Sequence, residues 1–159
     1  MGSTSSNGIG RLNGSSSLRQ PIILIVDDDD DNLLLLSYAL EDLGYFTVQG
    51  RSGQEAIDLA TRHAPNLILL DVLLPDMNGT VVIRHIRKRL KMRHTPIIAV
   101  TALARPVDQA KILAAGFTEY LSKPYMLDEL GAAVERYLAP ALKHPIKNDA
   151  DYRNSCRDT

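Results

Sequence analysis

Five short apolar runs, each followed by a segment whose apolar residues recur at helical spacing, constrain this chain more than any other feature. The runs are Ile22-Ile-Leu-Ile-Val26, residues 45–49, Leu67-Ile-Leu-Leu70, Ile97-Ile-Ala-Val100 and Glu119-Tyr-Leu121. The first intervening segment carries Leu33, Leu36, Leu40 and Leu43, the second Ala56, Ile57 and Ala60, the third Val82, Ile83 and Ile86, and the last Leu127, Leu130, Val134 and Leu138. Local punctuation agrees. Asp29 or Asp30 can cap the first helix, and Gly44 stands just past its end. Pro65 follows the second helix, the third is read over residues 80–90, and Pro106 suits the first turn of the fourth, which stops at Gly116. Pro140 is read as the stop of the fifth. Short apolar runs with little alternation read as strands buried on both faces. Strand and helix alternating five times, with connections of a few residues, predict an α/β domain with a parallel sheet covered by helices on both sides.

The chain has 159 residues, enough for one domain, and 45% of them are apolar, enough for a core. A formal net charge of −1 implies no bulk attraction to nucleic acid or to an anionic membrane. The single cysteine, Cys156, excludes an internal disulfide framework and a cysteine metal site. No apolar run reaches the length of a membrane span, and the start lacks the pattern of a signal peptide. Met1, Gly2 and Ser6 satisfy the loose myristoylation pattern, but a plain Gly/Ser-rich start explains them as well. Residues 1–20 are read as disordered, 21–140 as the folded domain and 141–159 as a polar tail too short for an output module. No phosphate-binding glycine motif of the nucleotide enzymes is present.

Chemistry gathers where the runs end. The first run leads into Asp27 and Asp28, the third into Asp71, the fourth into Thr101, and the fifth is followed by Lys123. In a parallel sheet these all lie at the carboxyl edge, where open α/β sheets place their ligands. Carboxylates brought together repel unless a cation joins them. An all-oxygen set favours Mg²⁺. A carboxylate beside Mg²⁺, a lysine and a hydroxyl is equipped for phosphoryl transfer, with the Asp as nucleophile and an acyl phosphate as product.

Taken together, Ile25-Val-Asp27-Asp28, Leu70-Asp71, Pro75 with Gly79, Val100-Thr101-Ala102 and Lys123-Pro124-Tyr125 resemble the receiver domain of two-component response regulators, in its order and spacing, over residues 21–139. The resemblance implies a flavodoxin-like (βα)5 three-layer sandwich with strand order 2-1-3-4-5. It implies that Asp71 accepts a phosphoryl group from a phosphohistidine. Asp28 and Asp71 would bind Mg²⁺ directly with the Leu73 backbone carbonyl, and Asp27 largely through water. Lys123 would pair with Asp71 at rest and with the phosphoryl oxygens afterwards. Thr101 and Tyr120 would be the switch pair, and the Lys123–Pro124 bond would be cis. The implied partners are a sensor histidine kinase or histidine-phosphotransfer protein and a downstream protein target, in the cytoplasm. Neither direct nucleic-acid nor membrane binding is implied, and homodimerisation is left open.

Two rivals remain open at this stage. One is a haloacid-dehalogenase-like phosphatase with Asp27 as nucleophile, although no later acidic pair completes its metal site. The other is a receiver-like binding module that is never phosphorylated, against which the full set of site residues argues. Other features are weighed as follows. Asp29, Asp30 and Asp31 are read as a cap and solvated turn. Residues 84–94 hold six Arg or Lys and no acid, read as a solvated helix face. Leu34 and Tyr38 should form an exposed apolar pair beside the buried leucines, read either as extra core or, as the resemblance implies, as part of the surface that docks the histidine-bearing partner. Leu73 and Leu103 flank the site and should slow hydrolysis of an acyl phosphate. Met126 stands where a capping side chain is usual, and the four histidines show no metal spacing.

Overall fold

The computed structural model describes residues 19–103 and 105–143, with side chains through residue 138. The elements follow in the order β1 (Ile22–Val26), α1 (Asp30–Asp42), β2 (Phe46–Gly50), α2 (Gly53–His63), β3 (Leu67–Leu70) and α3 (Gly79–Arg87). A 3-10 turn (Leu90–Met92), β4 (Ile97–Thr101), α4 (Pro106–Ala114), β5 (Glu119–Ser122) and α5 (Leu127–Lys143) complete them. The strands form one sheet in the order β2-β1-β3-β4-β5, every pair parallel. This is the flavodoxin-like arrangement.

Both faces of the three central strands are dry, which is why β1, β3 and β4 lack alternation. Leu24, Val26, Ile68, Leu70, Ile97 and Ala99 point to one side and pack with Ala56, Ile57 and Ala60 of α2, Val82, Ile83 and Ile86 of α3, and Ile112 of α4. Their neighbours Ile23, Ile25, Leu67, Leu69, Ile98 and Val100 point to the other, against Leu33, Leu36 and Leu40 of α1 and Leu130, Val134 and Leu138 of α5. Each of these three strands therefore feeds two cores, one residue apart.

The helix ends are set by side chains. Asp29 accepts from the N–H groups of Asp31 (2.9 Å) and Asn32 (3.2 Å), Ser52 from Glu55 (3.1 Å) and Asn78 from Thr80 (2.9 Å). Met126 offers no such oxygen, and the Glu129 carboxylate instead accepts the Met126 N–H at 3.2 Å, the returning half of a capping box. Gly44 and Gly116 take φ values of 93° and 110° past α1 and α4, as residues closing a helix do.

Four expectations are corrected. The second strand is Phe46–Gly50, with Tyr45 buried just ahead of it. The third helix ends at Arg87, and the chain then tightens into the 3-10 turn around the Arg87 side chain. Leu43 is exposed rather than part of the core stripe. Pro140 does not stop α5, which runs to Lys143: a proline removes its own N–H donor, but the residues beyond it can still donate. Residues 1–18 and 144–159, with the Gly/Ser-rich start, most of the tail, the myristoylation pattern, His144 and Cys156, lie outside the described residues.

Candidate functional site

The sheet order turns back between β1 and β3, since β2 lies on the outer side of β1 and β4 beyond β3. That reversal opens a crevice at the carboxyl edge. The ladder continues past the strand ends into the residues that line it. Asp27 N–H donates to the Gly50 carbonyl (3.1 Å), Asp71 N–H to Val26 (3.0 Å) and Lys123 N–H to Thr101 (2.8 Å). The functional side chains thus hang from backbone as well fixed as the strands.

Asp27 and Asp71 are buried, at 2% and 6% exposure, while Asp28 beside them is open to solvent. Carboxylate oxygens of the three lie within 4.8 Å of one another. Lys123 Nζ contacts Asp27 Oδ2 at 2.7 Å and Asp71 Oδ2 at 3.1 Å. The lysine therefore bridges both buried acids and lies nearer Asp27, where the pair with Asp71 alone was expected. Asp27 is further held by the Asp29 N–H (3.0 Å) and the Asn32 side-chain amide (3.4 Å), and Asp71 by the Leu73 N–H (2.9 Å).

Burial pushes the Asp71 carboxyl above its ordinary pKa. The Leu73 N–H and the Lys123 ammonium pull it back, Asp27 raises it again, and burial prevails. Burial would lower the pKa of Lys123, but its hydrogen bond to Asp27 and the charge of Asp71 more than offset that, and it stays firmly charged. Three carboxylates thus face one ammonium. The donor set is all oxygen, partly buried and short of positive charge, which fits a hard divalent cation such as Mg²⁺.

Thr101 is fully buried at the end of β4, its hydroxyl oxygen accepting from the Leu103 N–H at 3.2 Å. Tyr120, opposite Ala99 on β5, is half-buried against the α2–α3 side of the core. The Lys123–Pro124 bond is cis. Leu73 is exposed at the rim, whereas Leu103 packs on the core toward the α3–α4 cleft with Val72, Arg84 and Ile112. Of the remaining aspartates, Asp29 caps α1 and Asp30 pairs with Arg51 at 2.6 Å. Gly79 is required where it stands: a Cβ there would lie 2.8 Å from Val72 Cα and 2.9 Å from the Asp71 carbonyl oxygen.

Sequence reading missed Asn32, Arg51 and Asp76. Asn32 stands five residues beyond Asp27, in the first turn of α1, and no periodic spacing links the two. Asp76 stands in a stretch whose Pro75, Asn78 and Gly79 signal no more than a turn, yet its carboxylate accepts from the Gly53 and Gln54 N–H groups at 2.8 and 3.0 Å. No local pattern announces that contact.

Comparison with known proteins agrees with this geometry. The response regulator receiver domain profile matches residues 23–135. The polar-differentiation response regulator DivK of Brucella ovis is 40% identical over 102 residues, covering 64% of this chain and 83% of DivK. Among solved structures, the chemotaxis response regulator CheY4 of Vibrio cholerae superposes with a TM-score of 0.72 at 28% identity, over 75% of this chain and 99% of that one. The receiver domain of a Pseudomonas aeruginosa sensor histidine kinase, solved with magnesium coordinated in its active-site cleft, does so with a TM-score of 0.70 at 34% identity, over 76% and 98%. With a buried acid pair bridged by a lysine at the carboxyl edge of a 2-1-3-4-5 sheet, and with these relatives, the chain belongs to the receiver domain family of response regulators, the phosphoacceptors of two-component signalling.

Proposed function

We propose that Asp71 is the phosphoacceptor. The observation that carries this is the Lys123 ammonium lying between Asp27 and Asp71, 2.7 and 3.1 Å from them, at the carboxyl edge of the sheet. An Asp71 carboxylate oxygen attacks the phosphorus of a phosphohistidine. The O–P bond forms as the N–P bond breaks, and the bonding pair returns to the imidazole nitrogen. Lys123 exchanges its contact with Asp71 for the phosphoryl oxygens, and the Thr101 hydroxyl donates to one of them. Asp28, Asp71 and the Leu73 carbonyl would hold Mg²⁺ directly and Asp27 through water; when bound, the ion supplies positive charge against the phosphoryl oxygens.

The chain's own chemistry ends with acceptance of the phosphoryl group and its later hydrolysis, and it acts on no other substrate. Thr101 and Tyr120 carry the change outward, biasing a two-state surface around α4 and β5. The donor is a sensor histidine kinase or a histidine-phosphotransfer protein, met through the exposed Leu34, Leu35 and Tyr38 on α1. The output is contact with a downstream protein, without nucleic acid or membrane, in the cytoplasm. No helix among the described residues is long and apolar enough to cross a membrane. The domain spans residues 21–140 with the last turn of α5 appended. Asp27 is the more heavily engaged acid and so the poorer nucleophile: Lys123, the Asp29 N–H and Asn32 hold it, against Lys123 at a longer distance and the Leu73 N–H on Asp71.

Incubation with Mg²⁺ and acetyl phosphate, read by intact mass, tests the reading. One phosphoryl group should add to the wild type and none to Asp71→Asn. Labelling that survives Asp71→Asn and requires Asp27 would overturn it in favour of the phosphatase-like chemistry. Followed over time without a partner, the adduct should decay slowly, Leu73 shielding it from water.

A further inference from the structure

Two loops supply the acids of the site, and a third that supplies none touches both. The β2–α2 turn, residues 51–53, lies between them. On one side, Arg51 Nε contacts, at 2.6 Å, Oδ1 of Asp30, the first residue of α1, where the β1–α1 loop that carries Asp27 and Asp28 ends. On the other, Asp76 of the β3–α3 loop accepts from the Gly53 and Gln54 N–H groups. The β3–α3 loop begins at Asp71 and carries Leu73. Its two ends are closed on each other by the Leu73–Asn78 bridge and by the Gly79 N–H on the Val72 carbonyl at 2.7 Å. Residues 74–77 hang from that closure, and Asp76 and Met77 are where they meet α2. Met77 is pressed against the Gly53 backbone so closely that a Cβ at Gly53 would fall 2.3 Å from Met77 Cγ. Asp28 faces the same loop across a cleft of about 320 Å³ lined by residues 72–78.

We infer that Asp76 is a positioning residue for the cation site: by fastening the β3–α3 loop to the start of α2, it fixes Leu73 and Asp71 relative to Asp27 and Asp28. Arg51 ties the start of α1, directly after the opposite loop, to the same turn. The inference rests on the reading that these acids hold Mg²⁺. It assigns Asp76 no contact with the ion. A carboxylate that receives two backbone N–H bonds at a helix start is a firm anchor, because the helix end leaves those donors otherwise unsatisfied. The ligands gain from it as metal ligands gain from any outer partner that limits their motion.

The test compares two caps of one helix in the full chain. Asp76→Ala removes the tie between loop and helix, and Ser52→Ala removes the cap of α2 itself, which does not reach the loop. Calorimetric titration with MgCl₂ should show affinity about tenfold weaker in Asp76→Ala, the lower end of the loss that follows removal of an outer partner. Ser52→Ala should titrate like the wild type while both variants melt earlier without metal. Asp76→Asn, which keeps a carbonyl acceptor, should recover part of the affinity, and it carries the comparison if Asp76→Ala does not fold. Equal affinity in Asp76→Ala, Asp76→Asn and the wild type overturns the inference, as does equal weakening in Asp76→Ala and Ser52→Ala. A wild type that takes up no Mg²⁺ overturns the site reading itself, and this with it.

Discussion

The two ends of the sheet solve the problem of buried charge in opposite ways. At the amino edge, Arg87 folds back over the chain that follows it. Its guanidinium donates to the carbonyls of Met92 (3.1 Å), Arg93 (3.3 Å) and Thr95, and to Gly116 (3.1 Å) across the turn after α4. Burial lowers its pKa and no carboxylate joins it among the described residues, yet its donors are answered by backbone dipoles. At the carboxyl edge, three carboxylates meet one ammonium, and burial leaves Asp71 reluctant to ionise. One cluster is complete as folded. The other gathers more carboxylate than ammonium, a donor set that fits a hard divalent cation. The first holds the chain together, and the second is poised to act.

Breaking the complete cluster should have the largest effect on stability. Arg87→Met leaves four carbonyls without their charged donor and should cost about 2–3 kcal/mol in denaturant unfolding, with no change in phosphoryl acceptance. Completing the other end should help by a similar amount: Mg²⁺ at a hundred times its Kd should stabilise the wild type by about 2.7 kcal/mol. Asp28→Ala should remove most of that gain while leaving the metal-free Tm nearly unchanged, since Asp28 is exposed.

A smaller effect sharpens the contrast through pH. The pKa of Asp71 is raised on folding, so its contribution to stability is present in full below the unfolded value and lost as pH rises through the folded one. At pH 7, above the unfolded value, the raised pKa works against folding. In metal-free buffer Asp71→Asn should therefore melt above the wild type at pH 7, with the gain shrinking toward the ordinary carboxylate value of 3.8. A Tm at or below that of the wild type at pH 7 would show that Lys123, not burial, dominates at Asp71. The smallest effect belongs to Ala64, which closes α2 at φ 43°. Ala64→Gly should relieve that left-handed strain by about 0.5–1 kcal/mol, read by the same unfolding curves.

What the sequence disclosed and what it withheld divide along the same physical line. Strands buried on both faces need unbroken apolar runs, so Leu67–Leu70 and Ile97–Thr101 were legible, and with them the edge that gathers Asp27, Asp71, Thr101 and Lys123. Helix ends were legible where a short polar side chain serves its own helix, as Asp29 does. Contacts between one loop and another leave no periodic trace. Asp76 fastening α2, Arg51 reaching Asp30 and Lys123 settling nearer Asp27 all depend on how elements approach once folded. The early end of α3 belongs to the same class, because Arg87 finds its carbonyls only after the chain has turned.

The contact between Gly53 and Met77 carries a consequence for the lineage of this chain. With the sulfur-bearing side chain of residue 77 occupying the space of a missing Cβ, the two positions cannot drift independently. A descendant that acquires alanine at 53 should first have exchanged Met77 for something smaller and gained room at Val82, whose Cγ2 would lie 2.8 Å from the new Cβ, and one that keeps Met77 should keep its glycine. That paired inheritance would be the historical signature of a loop held in place by a helix that takes no part in the chemistry.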